Sequence, residues 1–214
     1  MALLALCSVY PSAAQADGIV VKGRIEGIKK GRLHLLTRSS ESETDTIGTC
    51  DFKRGRFALK AVAPEPVVAQ LVVEGYTGGF ALFAEPGVTY EARLSQGDDY
   101  YIKGGALNDS YNSHMRVSDS LHIIISGLQE RYDALRTAKK FRSASLVNDT
   151  LKREQEKLRT LTQQYLADND NLIAAYTIYS NIVLRDANLG ETRRLYATLG
   201  EGAKATQYLS LIHI

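Results

Sequence analysis

The sequence of 214 residues has no tryptophan, two cysteines, four prolines and four histidines. Two cysteines cannot build a disulfide framework. Seventeen glycines and four prolines exclude collagen-like and low-complexity classes. Charge of one sign is also lacking. Lys plus Arg total 26 against 24 for Asp plus Glu, a net charge of +2, so there is no basic footprint for nucleic acid. The sequence holds no G-x-S-x-G nucleophile elbow, and no glycine-rich loop opening a helix to cradle a phosphate. What remains is ordinary. Apolar residues make up 44% and charged residues 23%, the profile of a soluble globular chain of one or two domains.

The two ends read differently from the middle. Residues 2–10 are apolar and uncharged, and far shorter than the ~20 residues a membrane-spanning helix needs. Pro11 and Ser12 break the run, and Ala14-Gln15-Ala16 is a small-x-small cleavage pattern. Residues 1–16 are therefore expected to be a signal peptide, although no Lys or Arg precedes the apolar run. Met1 can then be an internal or misassigned start. Lipidation at Cys7 is the alternative, disfavoured by the large Leu6 before it, and it is the one route by which a membrane would hold the chain. At the other end, Leu209-Ser210-Leu211-Ile212-His213-Ile214 matches the translation of a common transposase-type sequencing adaptor. Residues 209–214 are expected to be that artefact, with a short apolar strand or helix end as the plainer alternative.

Residues 17–105 read as an antiparallel β domain. Residues 19–25 are β-branched and partly alternating, and residues 33–37 follow Lys30-Gly31, so a hairpin is expected between them. Residues 47–52 and 56–61 flank Lys53-Arg54-Gly55, a second hairpin with glycine at the turn. Residues 67–74, 80–83, 88–94 and 100–102 supply further short strands, and Glu85-Pro86-Gly87 is a tight turn. This is the pattern of a β-sandwich or barrel.

From Gly104-Gly105 onward the apolar period changes from two to between three and four. Asn108 is expected to cap a first helix carrying Tyr111, Met115, Leu121, Ile125, Leu128, Tyr132 and Leu135 on one stripe. Ser143 is expected to cap a second, in which Val147, Leu151, Glu154, Leu158, Leu161 and Tyr165 step by fours and threes. Residues 168–171 break the pattern. A third helix follows with Leu172, Ala175, Tyr176, Tyr179, Ile182 and Val183, then a shorter piece over 191–199. The fold class expected is α+β: an N-terminal antiparallel β-sandwich or barrel-like domain, then an α-helical segment over 106–208. Basic and acidic residues balance in both halves, 12 and 12 in residues 17–103 and 14 and 12 in 104–208.

Candidate chemistry is sparse. Cys50 stands beside Asp51, whose charge opposes a thiolate, and no C-x-x-C partner is present. His114 and His122 are eight residues apart on one predicted helix, roughly 12 Å along its axis and too far to share an ion. His34 is isolated in a strand. Asp98-Asp99 and Glu41-Ser42-Glu43 are solvated turn carboxylates rather than an acid/base pair. No catalytic, cofactor-binding or metal-ligating residue is assigned, and no cofactor is expected. The twelve tyrosines against five phenylalanines are the remaining oddity. Tyr76, Tyr90, Tyr100 and Tyr101 fall in the β half, where they suit either a sugar- or partner-binding face or the edge of a core.

One combination of motifs resembles a known family. It runs Val21-x-Gly23-x-Ile25-x-Gly27, Gly55-Arg56-Phe57, Pro66, Leu82-Phe83-Ala84-Glu85-Pro86-Gly87, Ile102-Lys103-Gly104-Gly105, Asn108 and Tyr111-Asn112. It is similar to the uncharacterised β domain at the N-terminus of secreted Gram-negative proteins that end in a thioredoxin-like domain of the TlpA/ResA or AhpC/TSA kind. The resemblance covers residues 18–111 well and the helical half only in general character. It implies a periplasmic or cell-envelope location and a truncation before the thioredoxin-like domain. It implies a non-catalytic accessory role in a thiol–disulfide oxidoreductase: positioning, dimerisation or recognition of an envelope partner. No catalytic residue of that domain maps onto this chain. The alternative is a stand-alone secreted module binding sugars or peptides through exposed tyrosines. A third possibility is an enzyme whose site assembles only in space.

Overall fold

The computed structural model describes residues 18–38, 43–95, 100–185 and 189–210. The expected signal segment with Cys7, the pair Asp98-Asp99, Glu41, and the last four residues with His213 lie outside them. Eight strands come first: β1 Gly18–Ile25, β2 Lys30–Arg38, β3 Thr44–Lys53, β4 Arg56–Val62, β5 Val67–Val73, β6 Phe80–Ala84, β7 Thr89–Leu94 and β8 Tyr101–Lys103. Helices follow: α1 Ala106–Thr137, α2 Phe141–Asp168, α3 Leu172–Arg185, α4 Leu189–Ala197, α5 Glu201–Lys204 and α6 Gln207–Ser210. The class is α+β, a barrel-like sheet followed by helices, as the alternation pattern implies.

The strands form one nearly closed sheet in the order β6-β5-β2-β3-β4-β1-β7-β8. It is a single mixed sheet. All pairings are antiparallel except β1 with β7, which run parallel from Val20↔Thr89 to Ile25↔Leu94. The hairpin expected between β1 and β2 does not form, because β1 lies between β4 and β7 while β2 lies between β3 and β5. Residues 26–29 instead make a corner. It is pinned to the β3–β4 turn by Ile25 N–H donating to Gly55 O (2.7 Å) and Gly55 N–H donating to Lys29 O (3.1 Å). The β3–β4 hairpin does form. Arg54 and Gly55 both have positive φ (55° and 69°), the signature of a two-residue type I′ turn.

Inward residues fill the barrel. Ile19, Val21, Leu33, Leu35, Leu59, Leu71, Leu82 and Leu94 are essentially inaccessible and form one cluster with Phe52 and Tyr90. The parallel contact depends on Gly23. A Cβ there would stand 1.9 Å from Ala92 O of β7, so no side chain fits without moving a strand.

The sheet edges β6 and β8 share no ladder. Side chains join them instead. Asn108, 1% exposed, accepts from Phe83 N–H of β6 (3.4 Å) and donates to Ile102 O of β8 (2.9 Å). Asn112, one turn on, donates to the same Ile102 O (2.9 Å). From β7, the Tyr90 hydroxyl donates to Phe83 O and accepts from Glu85 N–H, both at 2.8 Å. Asn108 is thus inside α1 rather than its cap. The cap position is Gly105, with φ 79°, where a Cβ would strike the Glu85 carboxylate at 2.2 Å. Glu85 takes over the capping by accepting from Leu107 N–H (3.1 Å), and Asp109 accepts from Gly104 N–H (3.0 Å). Carboxylates at a helix N-terminus complement its exposed N–H groups and dipole.

α1 and α2 pack as a long antiparallel pair. α2 begins at Phe141, two residues before the expected cap Ser143. The turn between them is a Schellman closure: Lys140 N–H reaches Leu135 O (2.9 Å) and Lys139 N–H reaches Arg136 O (3.0 Å). A second core joins the helices to the outer face of the barrel. Val68 and Phe83 contribute to it with Leu166, Ile173, Ala174, Ile178, Leu195, Leu199, Tyr208 and Leu209.

Substitutions at two positions test this architecture. Asn108→Asp keeps the acceptor for Phe83 N–H but loses the donor to Ile102 O and buries a charge. It should cost about 3 kcal/mol or more, and Asn108→Ala about 2–4 kcal/mol, in urea midpoint measurements. Gly23→Ala should destabilise by more than about 3 kcal/mol, because its methyl group meets backbone and not a movable side chain. Wild-type midpoints for either would contradict the closure described.

Candidate functional site

Two concave regions stand out. The first lies at one end of the barrel, over the core ends Ile25, Val73 and Leu94, with a volume of about 510 Å³. Tyr76, Phe80 and Tyr100 line it together with Gly78, Gly79 and Glu26. Tyr76 is 47% and Tyr100 50% exposed, and Phe80 and Tyr100 pair at 5.0 Å between ring centroids. Glu26 is held by Arg93 Nε at 2.8 Å.

The four tyrosines of the β half therefore part company. Tyr76 and Tyr100 converge on the groove. Tyr90 is fully buried in the seam, where burial pushes its phenol up to about 12 against the opposing hydrogen bond from Glu85 N–H. Tyr101 lies on β8, its ring 4.7 Å from Lys103 Nζ.

The second region is a cavity of about 370 Å³ between α1, α2, α3 and α4. Among the described residues five polar side chains are buried, Asn108, His114, Ser118, Thr177 and Thr192, and all but Asn108 line this cavity. Met115, Ile125, Leu158, Ile178 and Leu195 supply the apolar wall, and His122 and Arg159 are also present. Thr177 donates to Ile173 O (2.8 Å). His114 stacks flat on Tyr165, with centroids 3.8 Å apart and planes 4° from parallel. No described carboxylate lines the cavity, so it holds no described acid/base pair of the carboxylate kind.

The remaining candidates stay dispersed. His34 Nδ1 shares a hydrogen bond with Thr49 Oγ1 at 3.0 Å on the barrel surface. His114 and His122 face the same cavity two turns apart, and no group of three possible metal ligands occurs among the described residues. Cys50 is a half-buried free thiol that packs against the barrel core. Burial pushes it up, with the Asp51 charge adding to the effect, which opposes thiolate chemistry.

The tyrosine excess has another use that strand alternation did not reveal. Tyr111, Tyr176, Tyr179 and Tyr208 form a chain of ring contacts with Phe83 between barrel and helices. Tyr208 donates to Val68 O (3.1 Å), and Arg38 Nη1 donates to the Tyr179 hydroxyl (2.6 Å). The stripe spacing in α1 and α3 marked Tyr111, Tyr176 and Tyr179 as apolar-face residues. The polar tips of Tyr208 and Tyr179, on Val68 O and Arg38, show what tyrosine adds over phenylalanine at this interface.

Residues 19–111 match the family model of a domain of unknown function, DUF4369. Neither the curated proteins nor the solved structures give a match. The matched segment ends inside α1, just past Asn108. The first turn and a half of that helix therefore falls within the matched segment along with the barrel.

Buried phenols make the fold sensitive to alkali. Burial pushes Tyr165 and Tyr208 up to about 12 from an ordinary value of 10. A raised folded value means the neutral phenols contribute fully below pH 10, and that contribution is lost as pH climbs through about 12. Unfolding midpoints should therefore fall steeply over that interval. The Tyr165 hydroxyl is buried with no hydrogen bond of ordinary geometry, Ser110 only easing its shift. Tyr165→Phe should leave neutral-pH stability unchanged or raise it by up to about 1 kcal/mol, and weaken the alkaline loss. A marked drop at neutral pH would show that the hydroxyl is satisfied.

Proposed function

We propose, from the match of residues 19–111 to this domain of unknown function, a non-catalytic accessory role. The chain is read as the N-terminal region of a periplasmic thioredoxin-like thiol–disulfide oxidoreductase, serving positioning, dimerisation or partner recognition. One observation carries this reading. The same side chain that joins the barrel edges, Asn108, lies in the first turn of a 32-residue helix. The barrel and the helical arm therefore move as one piece, which is what a positioning element requires. A barrel filled by its own side chains adds support, because such a body is a scaffold rather than a container. The half-buried, up-shifted Cys50 adds more, since redox chemistry would then belong to a separate thioredoxin-like domain.

The genomic sequence past codon 208 tests this reading. A thioredoxin-like domain with a C-x-x-C motif in the same frame is expected. An in-frame stop codon directly after the helical region would overturn it.

A second reading is favoured by the convergence of Tyr76, Phe80 and Tyr100 on the barrel-end groove. Under it the barrel binds a sugar or an extended peptide by aromatic stacking. The lack of tryptophan leaves tyrosine emission as a direct probe. Titration with oligosaccharides and peptides should quench it saturably, and Tyr76→Ala and Tyr100→Ala should each weaken binding about tenfold. Calorimetry without saturable heat for either ligand class would remove this reading and leave the first untouched.

A further inference from the structure

We propose that the tip of the α1–α2 hairpin docks on an anionic lipid bilayer. The tip is remote from the barrel. α1 spans 32 residues, which at 1.5 Å per residue carries its far end about 48 Å from the seam. The cavity against α3 and α4 is lined no further out than Ile125 on α1 and Gln155 on α2. Past those levels the two helices pack mainly on each other.

The composition of this projecting end departs from the rest of the balanced chain. Between Arg131 and Leu146 stand Arg131, Arg136, Lys139, Lys140 and Arg142, with Asp133 as the one carboxylate. Glu130 and Asp149 lie at its borders, further back along each helix. Arg131, Lys139, Lys140 and Arg142 form no ion pair with a described residue. Asp133 is engaged by Gln129 Nε2 at 3.1 Å. At the apex Phe141 is 61% exposed, and Leu146, just over one turn on, is 66% exposed.

Backbone geometry adds an independent observation. Lys139 occupies the left-handed C′ position of the Schellman closure, with φ 58°. That position favours glycine, and a side chain with a Cβ there costs roughly 1 kcal/mol. A Cβ stands where the backbone would prefer none, while the charge itself suits the helix C-terminus. Local rules broken in this way mark sites shaped by something other than stability.

Neither the barrel-end groove nor the helix-lined cavity reaches this apex. The apex offers an apolar ring that can enter the acyl boundary, ringed by cations at headgroup level. Cations near an anionic surface each strengthen binding about fivefold, and the effect is screened by salt.

Co-sedimentation of the full chain with vesicles tests the proposal. Binding is expected to phosphatidylcholine vesicles containing phosphatidylglycerol, to weaken with added salt, and to be near zero on phosphatidylcholine alone. Lys139→Gln with Lys140→Gln should weaken it about fivefold per charge removed. Phe141→Ser should weaken it with the salt dependence retained. Ile123→Ser, which removes a still more exposed apolar side chain (73%) outside the basic tip, should leave it unchanged. Circular dichroism on each variant checks that the hairpin is intact. No binding to the phosphatidylglycerol vesicles, equal binding to both vesicle types, or binding indifferent to the tip variants would overturn the proposal. Tip-dependent capture of an acidic protein without vesicle binding would overturn it as well.

Discussion

The Asn108 carboxamide satisfies two sheet edges at once. An open eight-stranded sheet leaves a row of unpaired N–H and C=O groups on β6 and β8, and such edges invite pairing with other chains. Full backbone closure would need β6 and β8 to come within ladder distance. Here an amide with one acceptor and one donor pointing opposite ways spans the gap, and the Tyr90 hydroxyl does the same from β7. Both groups are buried, so their hydrogen bonds act without competition from water and would be costly to leave unmade. Glu85, Gly104, Gly105 and Asp109 then set where α1 begins. The entry of the helix and the closure of the barrel are one arrangement.

That arrangement also explains the helical half. Once α1 leaves the seam at a fixed angle, the outer face of β5 and β6 is available to α3 and to the residues around Tyr208. Val68 and Phe83 present it, and the tyrosine chain covers it while the Tyr208 hydroxyl reaches Val68 O and the Tyr179 hydroxyl accepts from Arg38. The arm has no comparable support near its tip. Its seam residues Leu128, Tyr132, Leu135 and Val147 are only half-buried, as two helices alone cannot enclose a core.

Much of this was legible in the residues. Alternation located the strands, glycine marked the β3–β4 turn, and the three-four stepping of Val147 to Tyr165 located α2. Lys30-Gly31 looks like a local turn and so suggests a β1–β2 hairpin, whereas the strand partners of β1 are β4 and β7, far along the chain. Local patterns carry no information about such long-range pairing. Asn108 reads as a cap because asparagine is strongly preferred at helix N-caps. Its seam role depends on Phe83, 25 residues earlier. The groove formed by Tyr76 and Tyr100 and the cavity holding four buried polar side chains also arise only from tertiary placement. Within the motif set that runs from Val21 to Asn112, the pieces around Phe83, Glu85, Ile102, Gly104 and Asn108 meet at the seam, while Gly23 and Gly55 serve other strand contacts.

Native-state hydrogen exchange at the Phe83 amide tests the central claim most directly. That N–H lies on a free sheet edge, and its partner is a side chain on α1. If Asn108 closes the barrel, Phe83 should exchange only through global unfolding, with the same protection free energy as the central amides of β2 and β5. Exchange of Phe83 through a low-energy local opening, with the β2 and β5 ladder still fully protected, would contradict it. The seam would then be a loose contact, and the barrel and the arm would be free to move independently.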